Sequence, residues 1–201
     1  MENEVLSLIA SFIAMAMVAI SYFVRKKELY LLFQSLCSTF LILSYFFAVN
    51  YFAMVGLMIA LFRSLVFFAY EKRDKLAPIW LCFLISGLTL VSFFVINICI
   101  LEEAKPVDIL HLVALVLYAF IFRIRSLKVV RFTMLAPTAL EMAYTIASSA
   151  AIGAVLTYVF ELAVNVISIV RFHILPQKVK DEPVYYVKDK KPKAKKTQKE
   201  K

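Results

Sequence analysis

The sequence predicts an all-α polytopic membrane protein with seven transmembrane helices. Of the 201 residues, 63% are hydrophobic and only 18% are charged, and the mean hydropathy is +0.83. Soluble domains are nearer to half apolar. The charges are gathered into short segments that separate apolar runs, and a run of about 20 apolar residues is long enough to cross a bilayer.

The first three helices are predicted at residues 5–24, 29–49 and 51–70. The first run carries no charge, and the acidic start MENE is unlike a secretory signal, so this run is expected to remain as a helix. RKKE separates it from the second run, and Asn50 marks a tight turn before the third. Within the third run only Arg63 interrupts the apolar pattern.

The remaining helices are predicted at residues 76–101, 107–122, 132–150 and 154–172. The fourth is long enough to tilt, and the fifth has the weakest signal because its charge-free part is short. Beyond RIRSLKVVR, an apolar run extends from residue 132 to residue 170. One helix of that length would reach roughly 58 Å at the usual rise per residue, which is too long for one crossing. The small residues of SSAAIG predict a turn that divides it.

Lysine and arginine are concentrated in every second loop, which predicts the orientation. The first, third and fifth loops and the C-terminal tail are basic, whereas the other loops hold only Lys105 beside acidic residues. Basic loops stay in the cytoplasm, so the N-terminus is predicted outside and the C-terminus inside. Helices one to three and five to seven repeat one pattern around the fourth, which indicates a 3+1+3 arrangement.

The chain divides into a transmembrane domain, residues 1–175, and a Lys-rich tail, residues 176–201. The tail is polar and low in complexity, so we expect it to be disordered and cytoplasmic. Its lysines can attract anionic lipids, or they can serve only to fix the orientation. Nucleic-acid binding is not expected, because aromatic residues are scarce among the lysines.

Polar side chains within the apolar runs are the candidate functional residues. Glu141 and Glu161 each lie ten residues from a basic cytoplasmic helix end, which places both about 15 Å deep, near the midplane. Arg63 is slightly shallower, and a charge at that depth is expected to be paired, protonated or hydrated. The spacing of Glu161, Asn165 and Ser168 places them on one helix face. Pro137, one turn before Glu141, predicts a helix kink.

These residues predict a substrate-binding or proton-coupling site in which Glu161 faces the interior and shares the positive charge of Arg63 with Glu141. Other interpretations stay open. Arg63 can snorkel to the surface, the charges can serve only helix packing, and Asn165 and Ser168 can simply join helices. Tyr22 is assigned to the membrane interface, and His111 and Tyr118 are assigned to an interface or to the core.

The composition argues against an enzyme. Three glycines cannot build a phosphate-binding loop, and two histidines do not suggest a metal site. The three cysteines have no metal or redox spacing. We therefore expect no cofactor, no metal and no catalytic residue.

The motifs FRIRSLKVVR and NVISIVR, with Gly153 between them, resemble the YgjV family of bacterial inner-membrane proteins, and Arg63 matches an arginine in the third helix of that family. The resemblance implies a multi-pass protein of the bacterial cytoplasmic membrane. That family is similar in plan to the sugar-efflux and PQ-loop (MtN3-like) carriers, which implies a small-molecule transporter or facilitator. The alternative is a structural or regulatory membrane protein. Besides the lipid bilayer, a small-molecule substrate and a second copy of the chain are candidate partners.

Overall fold

The computed structural model describes residues 2–96, 105–148 and 152–175, and these residues form seven α-helices. The predicted all-α class with seven helices is confirmed. The helices are α1 (Glu2–Phe23), α2 (Lys27–Phe47), α3 (Tyr51–Lys72), α4 (Ile79–Phe93), α5 (Asp108–Ile121), α6 (Leu127–Ala147) and α7 (Ile152–Ile169). A short π-helical segment, Val170–Ile174, continues α7.

The helices pack as a ring in chain order. Each helix contacts the next one along the chain, and α7 closes the ring against α1. Two further contacts, between α2 and α7 and between α3 and α5, cross the interior. Helices α1 to α3 therefore pack on one another in sequence, as do α5 to α7, and α4 stands between these two groups.

Polarity is arranged as a lipid environment requires. Large apolar side chains on the outside are exposed, for example Phe83, Trp80 and Ile152, whereas many hydroxyl, amide and charged side chains are buried. Five helices, α1 to α4 and α7, are long and apolar enough to cross a membrane. The shorter α5 is also apolar, and α6 is the least apolar because it contains Lys128, Arg131 and Glu141.

The starts of α4 and α6 differ from the prediction for local reasons. Helix α4 begins at Ile79 because Pro78 occupies its N-cap with an extended ψ of 148°, and residues 94–96 are π-helical. Helix α6 begins at Leu127, five residues before the predicted start. Helices can continue beyond the apolar run, and Arg131 consequently lies inside α6, buried, rather than in a loop.

Gly153 is part of α7 and not of a turn, which corrects one prediction. It is buried in the first turn of the helix, and a Cβ atom there would lie 2.5 Å from Ser11 Oγ. The glycine thus permits a close approach of α7 to α1. The rest of the predicted turn, residues 149–151, lies outside the described residues, as do residues 97–104 and the predicted Lys-rich tail.

The turn between α2 and α3 lies at Asn50, as the sequence predicts. Its side chain caps α3 by accepting a hydrogen bond of 3.2 Å from the backbone N–H of Ala53. The residue in the left-handed region is the preceding Val49, with φ 58°. A β-branched residue is rare there.

Candidate functional site

A small cavity lies within the ring of helices, with walls from α2, α3, α5, α6 and α7. Its volume, measured as the space open to the centre of a water molecule, is about 40 Å³. The structure brings three of the predicted site residues to this cavity, Arg63, Glu141 and Glu161. The other polar groups in its wall are Gln34, Cys37, Ser38, Ser64, Tyr118 and Tyr158.

Glu161 of α7 faces the interior and is held by a tyrosine. Its Oε1 accepts a hydrogen bond of 2.9 Å from the Tyr22 hydroxyl of α1. Tyr22 is fully buried, so its assignment to the membrane interface was wrong. The phenol gives a buried carboxylate a donor that the surrounding apolar side chains cannot supply.

Glu141 of α6 pairs with a histidine. The Nδ1 atom of His111, on α5, lies 2.9 Å from Glu141 Oε2, and both side chains are 2% exposed. The imidazole also stacks on Tyr144 at a centroid distance of 4.9 Å. A Cβ atom at Gly56 of α3 would collide with the Nε2 atom of this ring. His111 is therefore the partner of a predicted site residue, and its assignment to an interface or the core missed this contact.

Arg63 of α3 is buried and points into the bundle, so the snorkelling interpretation was wrong. Its Nη1 donates a hydrogen bond of 2.9 Å to the carbonyl of Leu115, and its guanidinium lies 5.1 Å and 5.0 Å from the ring centres of Tyr118 and Phe122. Both distances suit cation–π attraction. The Nε atom of Arg63 is buried without a hydrogen-bond partner among the described residues.

The predicted direct sharing of the Arg63 charge is not what the structure shows. Among the described residues no ion pair joins Arg63 to Glu141 or Glu161, although all three line one cavity. Instead, Arg63 contacts a carbonyl and two rings, Glu141 contacts a histidine, and Glu161 contacts a tyrosine. The three charged side chains thus border one cavity without bonding to one another.

Asn165 and Ser168 share the buried face of α7 with Glu161 but do not line the cavity. Asn165 Nδ2 donates a hydrogen bond of 3.0 Å to the carbonyl of Arg131, and Ser168 Oγ donates one of 2.8 Å to the carbonyl of Asn165. The Asn165 bond joins α7 to α6, as one interpretation of the sequence proposed, whereas the Ser168 bond lies within α7. Pro137 is buried inside α6, one turn before Glu141, and the helix continues through it.

Arg131 is a buried cation that the sequence assigned to a loop. Its Nη2 donates hydrogen bonds of 2.9 Å and 2.8 Å to the carbonyls of Tyr22 and Val24, at the C-terminal end of α1. The guanidinium also lies 4.7 Å from the ring centre of Phe172. It therefore joins α1, α6 and the segment after α7 near the Tyr22 end of the bundle.

The sequence does carry a signal for His111 and Tyr22, the two partners that its analysis missed. Asp108, His111 and Tyr118, at spacings of three and seven, lie on one face of α5, and all three are buried. A similar stripe of Ser7, Ser11 and Tyr22 marks the buried face of α1. Polar residues that recur on one face of an otherwise apolar helix indicate the side turned away from lipid.

Nothing in the described ranges resembles a metal centre, since no three His, Cys, Asp or Glu side chains there are grouped closely enough to hold an ion. The ionisable groups in the wall of the cavity are two carboxylates, a guanidinium, a thiol and the phenols of Tyr118 and Tyr158, with the imidazole of His111 behind Glu141. These groups can bind a small polar or cationic molecule, and they can exchange protons.

A family model named Imp-YgjV and described as a bacterial inner membrane protein matches residues 5–175. The match covers all seven helices apart from the first residues of α1. Comparison with curated proteins gives no match, and comparison with solved structures gives none.

Proposed function

Because the chain belongs to the YgjV family of bacterial inner membrane proteins, we propose that it is a small-molecule transporter or facilitator whose solute passes through the cavity lined by Arg63, Glu141 and Glu161. The observation that carries this proposal is the cavity itself. Three buried charged side chains border it, and they belong to both groups of helices. The protein is thus proposed to be a carrier and not an enzyme.

The arrangement of the charges favours a binding site over a block of packed helices. A charge within the bilayer costs at least a few kcal/mol, so charges that serve packing alone are expected to pair directly. Among the described residues Arg63 pairs with neither carboxylate, although all three line one cavity, and Glu141 and Glu161 contact His111 and Tyr22 instead. The buried Nε of Arg63, without a partner in the described part of the chain, leaves a donor for water or a solute.

The size and charge of the cavity favour a small cation. About 40 Å³ is room for roughly three water molecules, so a larger solute requires the helices to separate. Two carboxylates border the cavity with one guanidinium, which favours a positively charged solute when His111 is neutral. Small amines are the class that fits this balance.

We propose that the helices follow a 3+1+3 plan like that of the PQ-loop carriers, and the order of helix packing supports this proposal. Helices α1 to α3 and α5 to α7 each form a continuous group with α4 between them. Carriers built from repeated groups bind solutes where the groups meet, near the midplane. The cavity has walls from both groups, as that plan requires.

The alternative is a structural or regulatory membrane protein, and native cysteines can separate it from a carrier. Cys37 lines the cavity, whereas Cys82 is buried in α4 away from it. We propose to label two single-cysteine variants in membranes with a small, water-soluble methanethiosulfonate reagent, one retaining Cys37 and the other Cys82. A carrier that opens to water should expose Cys37 much faster than Cys82. Equal, slow labelling of both would support the packing role.

A solute screen tests the proposal directly. The purified protein is heated with sugars, vitamins and amines, and a ligand present at 100 times its Kd should stabilise the fold by about 2.7 kcal/mol. Compounds that raise the unfolding temperature are then followed by uptake into proteoliposomes. Glu161→Gln should remain folded and lose the response, and Glu28→Gln, outside the cavity, should keep it. An unchanged response in Glu161→Gln would count against this site.

Two further partners are proposals. The tail, residues 176–201, has ten lysines and four acidic residues, so we propose that it lies along the anionic inner leaflet, where each lysine near the surface contributes about 1 kcal/mol of attraction. The second proposal is that the protein forms a homo-oligomer. Vesicle binding of the isolated tail with and without anionic lipid tests the first, and cross-linking in membranes tests the second.

A further inference from the structure

The two carboxylates at the cavity are bonded to residues that lie toward opposite ends of the bundle. Tyr22, the partner of Glu161, is next to the last residue of α1, and His111, the partner of Glu141, is in the first turn of α5. Arg131, which bonds to the carbonyl of Tyr22, and Glu141 both belong to α6. They are ten residues apart, which corresponds to about 15 Å along the helix axis.

We propose that His111, Glu141, the cavity, Glu161 and Tyr22 form a proton pathway, and that the proton is the coupling ion of the carrier. The inference rests on the proposed function and extends it, because the proton and the solute would use the same cavity. In the predicted orientation, the His111 end faces outward and the Tyr22 end faces the cytoplasm.

The geometry provides a donor and an acceptor for each transfer. At 2.9 Å, an imidazolium at His111 can pass its Nδ1 proton to the Glu141 carboxylate, which yields a neutral imidazole and a carboxylic acid. The acid passes the proton to water in the cavity, and that water releases one to the Glu161 carboxylate. Glu161 becomes a carboxylate again when it gives the proton to water that enters from the Tyr22 end.

The cavity is suited to the middle step because the acids line its wall and about three water molecules fit between its walls. Water can therefore bridge two carboxylates that do not touch. Arg63 lines the same cavity and offers a fixed positive charge to both. A second cavity of about 10 Å³, between α3, α4 and α5, borders His111 on its other side and has Thr89 and Ser92 in its wall.

Other titratable groups face the two acids from every helix that packs against them, and their effect must be separated from that of the pathway. They are Tyr22 on α1, Tyr30, Cys37 and Tyr45 on α2, Arg63 on α3, His111 and Tyr118 on α5, Tyr144 on α6 and Tyr158 on α7. The phenols and the thiol are weak acids near neutral pH, so the pathway is assigned to the two carboxylates and His111.

The test measures proton flux in proteoliposomes. Liposomes contain the pH dye pyranine, a K⁺ gradient with valinomycin imposes a potential, and the flux is recorded without solute and with the amine that gives the largest thermal shift. We expect wild-type flux well above that of protein-free liposomes in at least one condition. Glu141→Gln and Glu161→Gln should reduce it to the protein-free level, and the control Glu28→Gln should not change it.

Gel filtration and circular dichroism first establish that each variant is folded. Should the glutamine variants fail this test, Tyr22→Phe keeps both carboxylates and removes one hydrogen bond to Glu161, so it should reduce the flux without abolishing it. An unchanged flux in Tyr22→Phe would then overturn the pathway, as would an unchanged flux in folded glutamine variants.

The outcomes also separate this inference from the carrier proposal. Uptake of an amine by the wild type with no proton flux in either condition overturns the proton pathway and leaves the carrier. Proton flux with no uptake of any screened compound supports the pathway and overturns the carrier. Protein-free levels of both proton flux and uptake overturn the two together.

Discussion

Gly56→Ala should displace the histidine that holds Glu141. Gly56 lies inside α3, and a Cβ atom added there would collide with the Nε2 atom of His111 and lie 3.1 Å from Leu115 Cδ1. The imidazole is fixed on its other sides by Glu141 and by stacking on Tyr144. The ring cannot move away from α3 without changing one of these contacts.

The expected magnitude follows from three contributions. Replacing a helical glycine with alanine favours the helix by roughly 0.5–1 kcal/mol. Forcing an extra methyl group into a packed interior costs about 1–3 kcal/mol, and weakening a buried hydrogen bond to a charged group costs about 1.5–3 kcal/mol. Gly56→Ala should therefore destabilise the protein by about 1.5–5.5 kcal/mol, and it should lower proton flux through the proposed pathway.

Gly87→Ala is the matched control. Gly87 also lies inside a helix, α4, but nothing lies within 4 Å of a Cβ atom built there. The same substitution should leave the unfolding temperature unchanged or slightly raised. Both variants are unfolded in one detergent at one heating rate and followed by circular dichroism, because membrane proteins often unfold irreversibly. If Gly56→Ala is as stable as Gly87→Ala, the contact between α3 and His111 is wrong, and with it the position of α5.

Three further predictions concern the bundle end, the orientation and the tail. Arg131→Met removes both hydrogen bonds to the end of α1 and should destabilise the protein by at least about 1.5–3 kcal/mol. The control Arg125→Met, at an exposed arginine, should have little effect. Equal unfolding temperatures of the two variants would contradict the role of Arg131. Reporter fusions after Asn50, Lys105 and Ser149 should be periplasmic, and fusions after Lys27, Arg73 and Ser126 should be cytoplasmic. A loop on the opposite side of the membrane would refute the orientation. Deleting residues 183–201 should leave the helices inserted and folded, because this segment lacks apolar side chains for packing; loss of the folded core, seen by gel filtration, would show that the tail docks on it.

The class of the protein could be predicted because bilayer thickness sets the length of helices that cross a membrane. Apolar run length predicted seven helices, and counting from the basic ends placed Glu141 and Glu161 at similar depth. The polar stripe on α7 predicted its buried face, since Glu161, Asn165 and Ser168 are all buried. These inferences use only distances along one helix.

The partners of the charges could not be predicted in the same way, because they depend on the rotation of each helix and on its choice of neighbours. Arg63 and Glu161 are of opposite charge, which made a direct pair the simplest expectation. The structure instead places Tyr22 at Glu161 and His111 at Glu141. Tyrosines are also common at membrane interfaces, so the position of Tyr22 near a helix end was ambiguous.

Helix ends were uncertain for a different reason. An apolar run measures the part of a helix that lies in hydrocarbon, whereas the hydrogen-bonded helix continues into polar segments. Helix α6 therefore starts before the apolar run and carries Arg131 into the bundle. Gly153 shows the converse case, because a glycine that resembled a turn residue serves close packing of α7 on Ser11.

The contacts between the two groups of helices divide by position along the bundle. At one end, Arg131 binds the last carbonyls of α1, and Tyr22 binds Glu161. At the other end, Thr157 Oγ1 donates to the carbonyl of Ser11 at 3.4 Å, and His111 lies against Gly56. Both ends are joined around a cavity with room for a few water molecules. Separating the groups at one end would break only the contacts of that end. Arg131→Met and Gly56→Ala should therefore expose Cys37 to reagents from opposite sides of the membrane, a difference that a uniformly packed block would not produce.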